Sequence, residues 1–300
     1  MRTEGAVWSP EPAGRRRIPL LNPTTTPPFP GSRESVEFLA DRGFGGARVG
    51  FILGSGWGHF VDTVETLEEC PYEEIPGFGR STVAGHAGRL VRGRSNGRDF
   101  LAMQGRLHHY EGHSLRRIGE TVGVLHGLGV RDLVVTCAAG GVNPGYRVGD
   151  LVRIHDFVNF MLDSPLRGSP GAFGSPARVS PRLLERVSSA AESVGIPLRT
   201  GVLFSSKGPS YETPAEVRMA RTFGADVVSM STAPELISAT ALGMDAVAFA
   251  CVTNMAPGVV PGREVNHEEV IEVMQSRKER FSQLLAACLE QFSADTPGGR

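Results

Sequence analysis

The sequence predicts an α/β fold, a single domain in which a β-sheet is flanked by α-helices. From residue 35 onward, apolar runs of strand length alternate with helix-like stretches. This order is typical of α/β layers with a largely parallel, right-handed core. Neither an internal repeat nor a linker interrupts the chain after residue 35, so we expect one domain rather than two.

The alternation defines a series of strands and helices. The predicted strands are Arg48–Leu53, Arg89–Arg94, Asp99–Gln104, Leu133–Cys137, Asp150–Ile154, Leu198–Ser205, Asp226–Ser229 and Asp245–Val252. The predicted helices are Leu115–Gly127, Pro181–Val194, Pro214–Phe223, Ala233–Leu242 and Glu268–Phe292. Pro181 and Pro214 suit the first turn of a helix, where a missing N–H costs no hydrogen bond. Ligands of such sheets bind beyond the carboxyl ends of the strands, so polar clusters after strands are the candidate sites.

The two ends of the chain differ from the rest. Seven of the 21 prolines lie between Pro10 and Pro30, together with three consecutive arginines, Arg15–Arg17. Such a segment buries too little apolar surface to offset its ordering entropy, so we predict a disordered extension over residues 1–33. The apolar stretch after the arginines is too short and too broken by proline for a signal peptide. The domain is then predicted over residues 34–292, with a frayed tail at 293–300.

Charge and cysteine content exclude several classes of function. A net charge of −1 provides no overall field to attract nucleic acid or an anionic membrane, so neither partner is expected. No apolar run is long enough to span a bilayer. The four cysteines are widely separated and form no C-x-x-C pair, which argues against a disulfide framework or a zinc site and favours a cytoplasmic protein.

A glycine-rich segment, Gly54–Gly58, follows the first predicted strand. Its backbone N–H groups and the Ser55 hydroxyl could converge on an anion, although a plain tight turn explains the same residues. It is neither the G-x-G-x-x-G dinucleotide fingerprint nor a Walker P-loop, because no Gly-Lys-Ser/Thr follows. The segment around His86, Gly85–Gly88, is open to the same two interpretations.

Alternating polar residues give a stronger signal in the segment Gln104–Gly112. On an extended chain, Arg106, His108 and Tyr110 face the same way. A guanidinium, an imidazole and a phenol on one face suit an oxyanion beside a sugar. A polar sheet edge is the alternative. Metal binding is less favoured, because no carboxylate or thiolate falls at ligand spacing with the histidines.

Two further segments offer donors to an anion. Cys137–Gly141 follows an apolar strand and is predicted to be a turn of small residues with free backbone N–H groups. Met230-Ser231-Thr232 lies between a predicted strand and a predicted helix, where backbone N–H groups and hydroxyls bind anions. Ser231 or Thr232 could equally be an ordinary helix N-cap.

An amide and a carboxylate follow two other apolar runs, at Asn254 and Glu212. In a shared pocket they can read the edge of guanine or hypoxanthine, which presents a ring N–H donor beside acceptors at O6 and N7. Either residue alone is typical of a cap or a solvated surface. Their position after strands, together with the anion-binding segments, favours a site for a base, a sugar and a phosphate.

The chain resembles the trimeric class of purine nucleoside phosphorylases in eight motifs, which occur in the family's order between Val49 and about Phe292. The motifs are GSGWG, GHAGRL, QGRLHHYEGH, AAGGVNP, GPSYET, SMSTAPE, VTNMAPG and NHEEV. The resemblance implies a single α/β domain with a twisted mixed β-sheet flanked by α-helices, assembled as a homotrimer. It also implies reversible phosphorolysis of 6-oxopurine (deoxy)ribonucleosides such as inosine and guanosine, giving free base and (deoxy)ribose 1-phosphate. Inorganic phosphate would be the co-substrate, with no cofactor and no metal.

The resemblance also assigns roles to residues of this chain. The implied phosphate-binding groups are Ser55, His86, Arg106, His108, Ser231 and the backbone N–H of Ala138. The implied ribose-binding residues are Tyr110, Met230, His267 and Phe173, the last being the aromatic residue lent to a neighbouring subunit. The implied base-binding residues are Tyr211, Glu212, Val228, Thr253 and Asn254, and the catalytic residues are Asn254, His86 and Glu212.

Three features differ from the family pattern. Cys137 replaces the usual Asn, Ser229 replaces a Gly, and the chain between Arg167 and Leu183 lacks a typical insertion. Two alternatives to a 6-oxopurine enzyme stay open. A 5′-methylthioadenosine phosphorylase normally has Asp in place of Asn254 and an apolar pocket in place of His267. A catalytically idle purine-binding relative would be expected to have lost some of the polar groups present here.

Overall fold

The computed structural model describes residues 28–81, 86–169, 177–262 and 265–293. It shows a single α/β domain with a mixed nine-stranded sheet, which confirms the predicted fold class. Five strand pairs are parallel and four are antiparallel. None of the helices in these ranges has the length and apolar character needed to cross a membrane.

The strands follow the predicted order, with one addition. They are β1 (Val49–Leu53), β2 (Glu65–Pro71), β3 (Arg89–Ser95), β4 (Arg98–Gln104), β5 (Asp132–Gly141), β6 (Leu151–Asn159), β7 (Leu198–Ser205), β8 (Val227–Ser229) and β9 (Asp245–Met255). The sequence did not predict β2, because it is a largely exposed edge strand whose polar residues lack the apolar alternation of a half-buried strand.

The sheet closes on itself at one end. Its order is β2-β3-β4-β1-β5-β8-β7-β6-β9, and β5 pairs with both β8 and β9. The strands β5, β8, β7, β6 and β9 therefore form a ring, while β2, β3, β4 and β1 extend from β5 as an open sheet. The pairing of β1 with β5 ends at Ile52 and Val135, whereas β5 continues to Gly141 beside β9. The candidate site lies where these strands separate.

The helices are α1 (Arg33–Ala40), α2 (His59–Asp62), α3 (Leu115–Gly127), α4 (Pro181–Ser193), α5 (Pro214–Thr222), α6 (Ala233–Ala241) and α7 (His267–Ser293). The five predicted helices are α3 to α7, and Pro181 and Pro214 lie in first turns as expected. Thr213 caps α5 through its hydroxyl, which accepts the N–H of Glu216. Such a side-chain acceptor replaces a hydrogen bond that the helix start cannot make internally.

The described structure begins six residues before the predicted domain start at residue 34. Phe29 is buried against Gly119 of α3, where a side chain larger than hydrogen would collide with its ring. A 3₁₀ turn, Pro30–Ser32, then leads into α1. These few residues therefore pack on the domain, because one aromatic side chain supplies the apolar surface that the neighbouring sequence lacks. The rest of the predicted extension, residues 1–27, and the tail from residue 294 lie outside the described residues.

Trp57 anchors the glycine-rich segment after β1 to the core. Its ring is buried and stacks on Phe281 of α7, with ring centroids 4.1 Å apart. The indole Nε1 donates to the carbonyl oxygen of Cys137 at 3.2 Å. Gly56 has φ +76° and lies directly against Met274 of α7, so a side chain there would meet both strain and collision. The segment is a rigid turn that fixes Ser55.

Candidate active site

A cleft of about 140 Å³ opens at the ends of β1, β5, β8 and β9. The predicted site residues that line it are Ser55, Arg106, His108, Tyr110, Ala138, Tyr211, Glu212, Val228, Met230, Ser231, Thr253 and Asn254. His267 is the first residue of α7, and Phe173 lies outside the described residues.

His86 lies behind Ser55. Its Nδ1 lies 3.3 Å from the backbone nitrogen and 3.4 Å from the carbonyl oxygen of Arg106, and its Nε2 lies 3.2 Å from the Ser55 hydroxyl oxygen. Burial lowers the pKa of His86 to about 4, with the neighbouring charges of His108 and Arg106 acting in the same direction. The imidazole is therefore neutral at pH 7 and pairs with the Ser55 hydroxyl, which lines the cleft.

His108 is oriented by Glu111. The carboxylate Oε1 of Glu111 lies 2.8 Å from His108 Nδ1 and accepts the backbone N–H of His108 at 2.9 Å. Burial lowers the pKa of His108, and the hydrogen bond to Glu111 opposes that shift. The ring stacks between His86 and Tyr110, with centroid separations of 5.3 and 4.7 Å. Since Nδ1 is held by the carboxylate, Nε2 is the nitrogen left for a ligand.

The alternation of polar residues predicted an extended chain from Arg106 to Tyr110, and the structure contradicts this prediction. A 3₁₀ turn, His109–Glu111, follows His108 and brings Glu111 back to it. Sequence reasoning missed Glu111. Its three-residue spacing from His108 would have been the signal, because residues three apart meet in a helical turn.

Arg106 forms a buried ion pair with Glu235 of α6. The two side chains are each 2% exposed, and Nη1 lies 3.1 Å from Oε1. Nη1 also donates to the Thr232 hydroxyl, while Nη2 donates to the carbonyl oxygen of Thr136. Within the described chain the Nε of Arg106 is buried with no hydrogen-bond partner. The guanidinium is thus neutralised and fixed, with one donor unused.

Glu235 also shapes the loop that carries Ser231. Its Oε2 accepts the backbone N–H of Thr232 at 3.0 Å, the reciprocal half of a capping box at the start of α6. Thr232 has φ +85°, a costly conformation for a β-branched residue. Of the two N-cap candidates, Thr232 takes that position, which leaves Ser231 on the cleft wall. Sequence reasoning missed Glu235, although the T-x-x-E spacing is the capping-box signature.

Glu212 and Asn254 also line the cleft, and both are buried. Ser206 donates to Glu212 Oε1 at 2.8 Å. The amide oxygen of Asn254 accepts from the Thr253 hydroxyl at 3.0 Å, and its Nδ2 donates to the carbonyl oxygen of Met255 at 3.2 Å. The structure therefore brings the predicted carboxylate and amide to one pocket and orients both.

The segment Cys137–Gly141 is not a turn, contrary to the sequence prediction. It is the second half of β5 and pairs in parallel with β9 as far as Gly141 and Met255. Its small residues leave room for neighbouring side chains. A Cβ on Gly140 would lie 3.1 Å from Val228 Cγ2 and 3.4 Å from Asn254 Nδ2. Close packing against Val228 and Asn254, rather than chain reversal, accounts for the glycine at position 140.

Cys137 and Ser229, which differ from the family pattern, both lie in the cleft wall. Ser229 donates to the carbonyl oxygen of Ala138 at 3.0 Å and lies 3.5 Å from the Ser231 hydroxyl. Burial raises the pKa of the Cys137 thiol, so it is neutral. In the described part of the chain, no cluster of three His, Cys, Asp or Glu side chains is arranged to hold a metal ion.

The chain matches known proteins over most of its length. A model of the phosphorylase superfamily matches residues 48–290. The chain is 45% identical to purine nucleoside phosphorylase 1 of Bacillus subtilis, over 82% of this chain and 92% of that protein. It is 40% identical to purine nucleoside phosphorylase 1 of Geobacillus stearothermophilus, over 87% and 97%. This chain belongs to the purine nucleoside phosphorylase family.

A solved family member agrees in fold. The crystal structure of a Schistosoma purine nucleoside phosphorylase in complex with hypoxanthine superimposes with a TM-score of 0.78. It is 33% identical, and the match covers 86% of this chain and 96% of that one. The family match includes every predicted site residue in the described cleft, since these lie between Ser55 and Asn254.

Proposed function

We propose that this protein catalyses the phosphorolysis of 6-oxopurine nucleosides, such as inosine and guanosine, to the free base and pentose 1-phosphate. One observation carries the proposal. A single cleft is lined both by a set of hydroxyl, imidazole and guanidinium groups and by a buried carboxylate and amide. These groups have the chemistry to bind a phosphate, a sugar and a purine base.

The chemistry requires charge stabilisation at both ends. Breaking an N-glycosidic bond leaves positive charge on the sugar and negative charge on the departing purine. Phosphate bound near Ser55, His108 and Ser231 would supply the nucleophile and a counter-charge for the sugar. The phosphate oxygen forms the new bond to the anomeric carbon as the bond to the purine nitrogen breaks. The bond electrons leave with the purine, which takes up a proton.

The phosphate end is built from neutral donors. With its ring hydrogen on Nε2, His86 would donate to the Ser55 hydroxyl oxygen and leave the Ser55 proton for the ligand. Glu235 balances the charge of the buried Arg106 guanidinium, so this pair adds no net charge to the phosphate end. His108 Nε2 can accept the proton of a phosphate monoanion, or donate once its ring is protonated.

The base end reads the purine edge. Glu212 would accept the N1–H of a 6-oxopurine. Asn254 would bind O6 through its NH₂ and a protonated N7 through its carbonyl oxygen, giving up its bond to the Met255 carbonyl. Donors aimed at developing charge typically contribute a hundred- to a thousandfold, as a rough magnitude, to turnover. Schistosoma relatives were solved with hypoxanthine and with adenosine, so the preference for a 6-oxopurine rests on Glu212 and Asn254.

The remaining assignments belong to the same proposal. Tyr110, Met230, His267 and Phe173 would border the ribose, and Phe173 would act in the site of a neighbouring subunit of a homotrimer. Inorganic phosphate would be a co-substrate, with no further cofactor. The four cysteines are all buried free thiols, which suits a protein of the cytoplasm.

A nucleoside panel tests the substrate class. Inosine, guanosine, adenosine and 5′-methylthioadenosine are assayed with saturating phosphate, and kcat/KM is compared. We expect inosine and guanosine to exceed both 6-aminopurine nucleosides by at least about tenfold, since mispairing one buried polar group costs about 1–3 kcal/mol. Preference for 5′-methylthioadenosine would favour the first alternative. Purine binding without turnover of any nucleoside would favour a catalytically idle relative.

A further inference from the structure

A second cleft, of about 440 Å³, lies apart from the candidate active site and shares no lining residue with it. Its wall is formed by residues 147–151, which precede and begin β6, and by residues 196–199 at the start of β7. Arg277, Arg280 and Phe281 of α7 complete it. We refer to it as the basic cleft.

The charge of the basic cleft is strongly positive. Four lining residues are arginines, Arg147, Arg199, Arg277 and Arg280, against one acidic residue, Asp150. Asp150 is already engaged, because its Oδ2 lies 3.1 Å from Arg199 Nε and accepts the backbone N–H of Arg147. Three guanidinium groups remain uncompensated around one concave surface, in a protein whose overall net charge is −1.

Those three guanidinium groups lack protein partners. The side chains of Arg147, Arg277 and Arg280 make neither a hydrogen bond nor an ion pair with the part of the chain that the structure describes. Arg147 and Arg280 are exposed at the rim, whereas Arg277 is half-buried. Surface arginines often lack partners, but three around one cleft repel one another. Their arrangement favours a bound anion.

Arg277 is held at the inner side of the cleft. Its Nε is buried with no hydrogen-bond partner among the described residues, an unfavourable state for a charged donor. The guanidinium packs against Gly149, where a Cβ would lie 2.6 Å from Nη2. Gly149 has φ +88° and donates its N–H to the Val252 carbonyl oxygen at 2.7 Å, so the turn beneath the guanidinium is fixed. The residue is positioned before any ligand arrives.

We propose that the basic cleft binds a chain of phosphate groups, such as that of a nucleoside triphosphate or inorganic tripolyphosphate. Guanidinium groups pair with phosphate oxygens through two parallel N–H donors, and three of them match an anion of several charges. The cleft volume suits a ligand of nucleotide size. This site lies outside the proposed catalytic function, because none of its arginines lines the catalytic cleft.

Calorimetric titration of the intact protein with tripolyphosphate and, separately, with a nucleoside triphosphate tests the proposal. We expect saturable binding of both or of the nucleotide alone. Arg277→Gln should weaken it about ten- to a hundredfold, the usual effect of losing a charge-assisted hydrogen bond. Arg280→Gln, at an exposed position, should also weaken binding and keeps the test valid if Arg277→Gln does not fold. Lys278→Gln, one residue away on α7 and outside the cleft, should leave the affinity unchanged.

The results distinguish recognition of the phosphate chain from recognition of the nucleoside, and specific binding from diffuse charge attraction. Equal affinities for the two ligands would assign recognition to the phosphate chain, and tighter nucleotide binding would add contacts to the nucleoside. Similar losses for Lys278→Gln and Arg277→Gln would indicate diffuse charge attraction and overturn the proposal. No binding of either ligand would overturn it too, as would tighter binding of a single-stranded oligonucleotide. Because turnover is not measured, these results are independent of the catalytic assignment.

Discussion

Arg106 and Glu235 form an ion pair in which Nη1 lies 3.1 Å from Oε1 and each side chain is 2% exposed. The other carboxylate oxygen holds the backbone N–H of Thr232, beside Ser231. One carboxylate therefore connects two segments of the phosphate end, one from the loop after β4 and one from the start of α6. Breaking a buried pair by removing one charge is costly, because the other charge is left without compensation.

Glu235→Gln should lower the free energy of unfolding by about 3 kcal/mol, the lower end of the range for buried pairs, since Gln keeps the shape and can still accept a hydrogen bond. Urea unfolding followed by circular dichroism measures the change. Glu37→Gln breaks the exposed pair with Arg33 and is the matched control, with an unchanged urea midpoint. Equal, small effects of both substitutions would show that Glu235 is not needed to balance Arg106.

Ser55→Ala should raise the KM for phosphate about tenfold, because it removes a hydroxyl that lines the cleft beside His86 and a hydrogen bond to a charged group contributes about 1.5–3 kcal/mol. The KM for inosine should change much less. Ser81→Ala is the control, since its hydroxyl contacts the other ring nitrogen of His86. The assigned role of Ser55 is wrong if both substitutions change the phosphate KM equally.

Acid should destabilise the protein through His86. Its pKa is about 4 in the folded state, against an ordinary value of 6.5, so the unfolded chain binds the proton more tightly between these values. Stability is therefore lost as the pH falls from about 6.5 to about 4, by about 3 kcal/mol from this group. The difference in unfolding free energy between wild type and His86→Gln, measured across this range, should shift accordingly. Parallel pH profiles would contradict the burial of a neutral imidazole.

Asn254→Asp should shift the substrate preference at the six-position of the purine from inosine toward adenosine. An ionised Asp repels the O6 acceptor of inosine, whereas a protonated carboxyl can donate to N7 and accept from the amino group of adenosine. The adenosine-to-inosine ratio of kcat/KM should rise at least about tenfold. Steady-state kinetics on both nucleosides measures it. An unchanged ratio would show that Asn254 does not face that edge of the base.

Much of the fold could be predicted from the sequence, because buried strands and amphipathic helices carry periodic apolar patterns. The helix α3 and the strand β7 were predicted with the bounds observed. The edge strand β2 escaped because both of its faces are largely solvated. The ring closure through β5 and β9 also could not be predicted, since it depends on long-range strand pairing.

The candidate site was likewise predicted only in part. Most of the polar side chains that line the cleft could be predicted because they belong to short motifs placed after strands, whereas Ala256, Pro257 and Val270, which also line it, were not predicted. Glu111 and Glu235 were missed, because their spacing in the sequence indicates only a helical turn and a helix cap, and their contacts with His108 and Arg106 arise in the folded chain. The small residues at 137–141 looked like a turn because glycine has two uses, chain reversal and close packing, and only the pairing of β5 with β9 separates them.

The central claim is that phosphate, rather than water, is the nucleophile of this cleft. Inosine is incubated with the protein with and without inorganic phosphate, and the products are followed by phosphorus NMR together with hypoxanthine release. We predict that hypoxanthine appears only with phosphate and in equal amounts with ribose 1-phosphate. Hypoxanthine released at the same rate in phosphate-free buffer, together with free ribose, would identify a hydrolase and contradict the account.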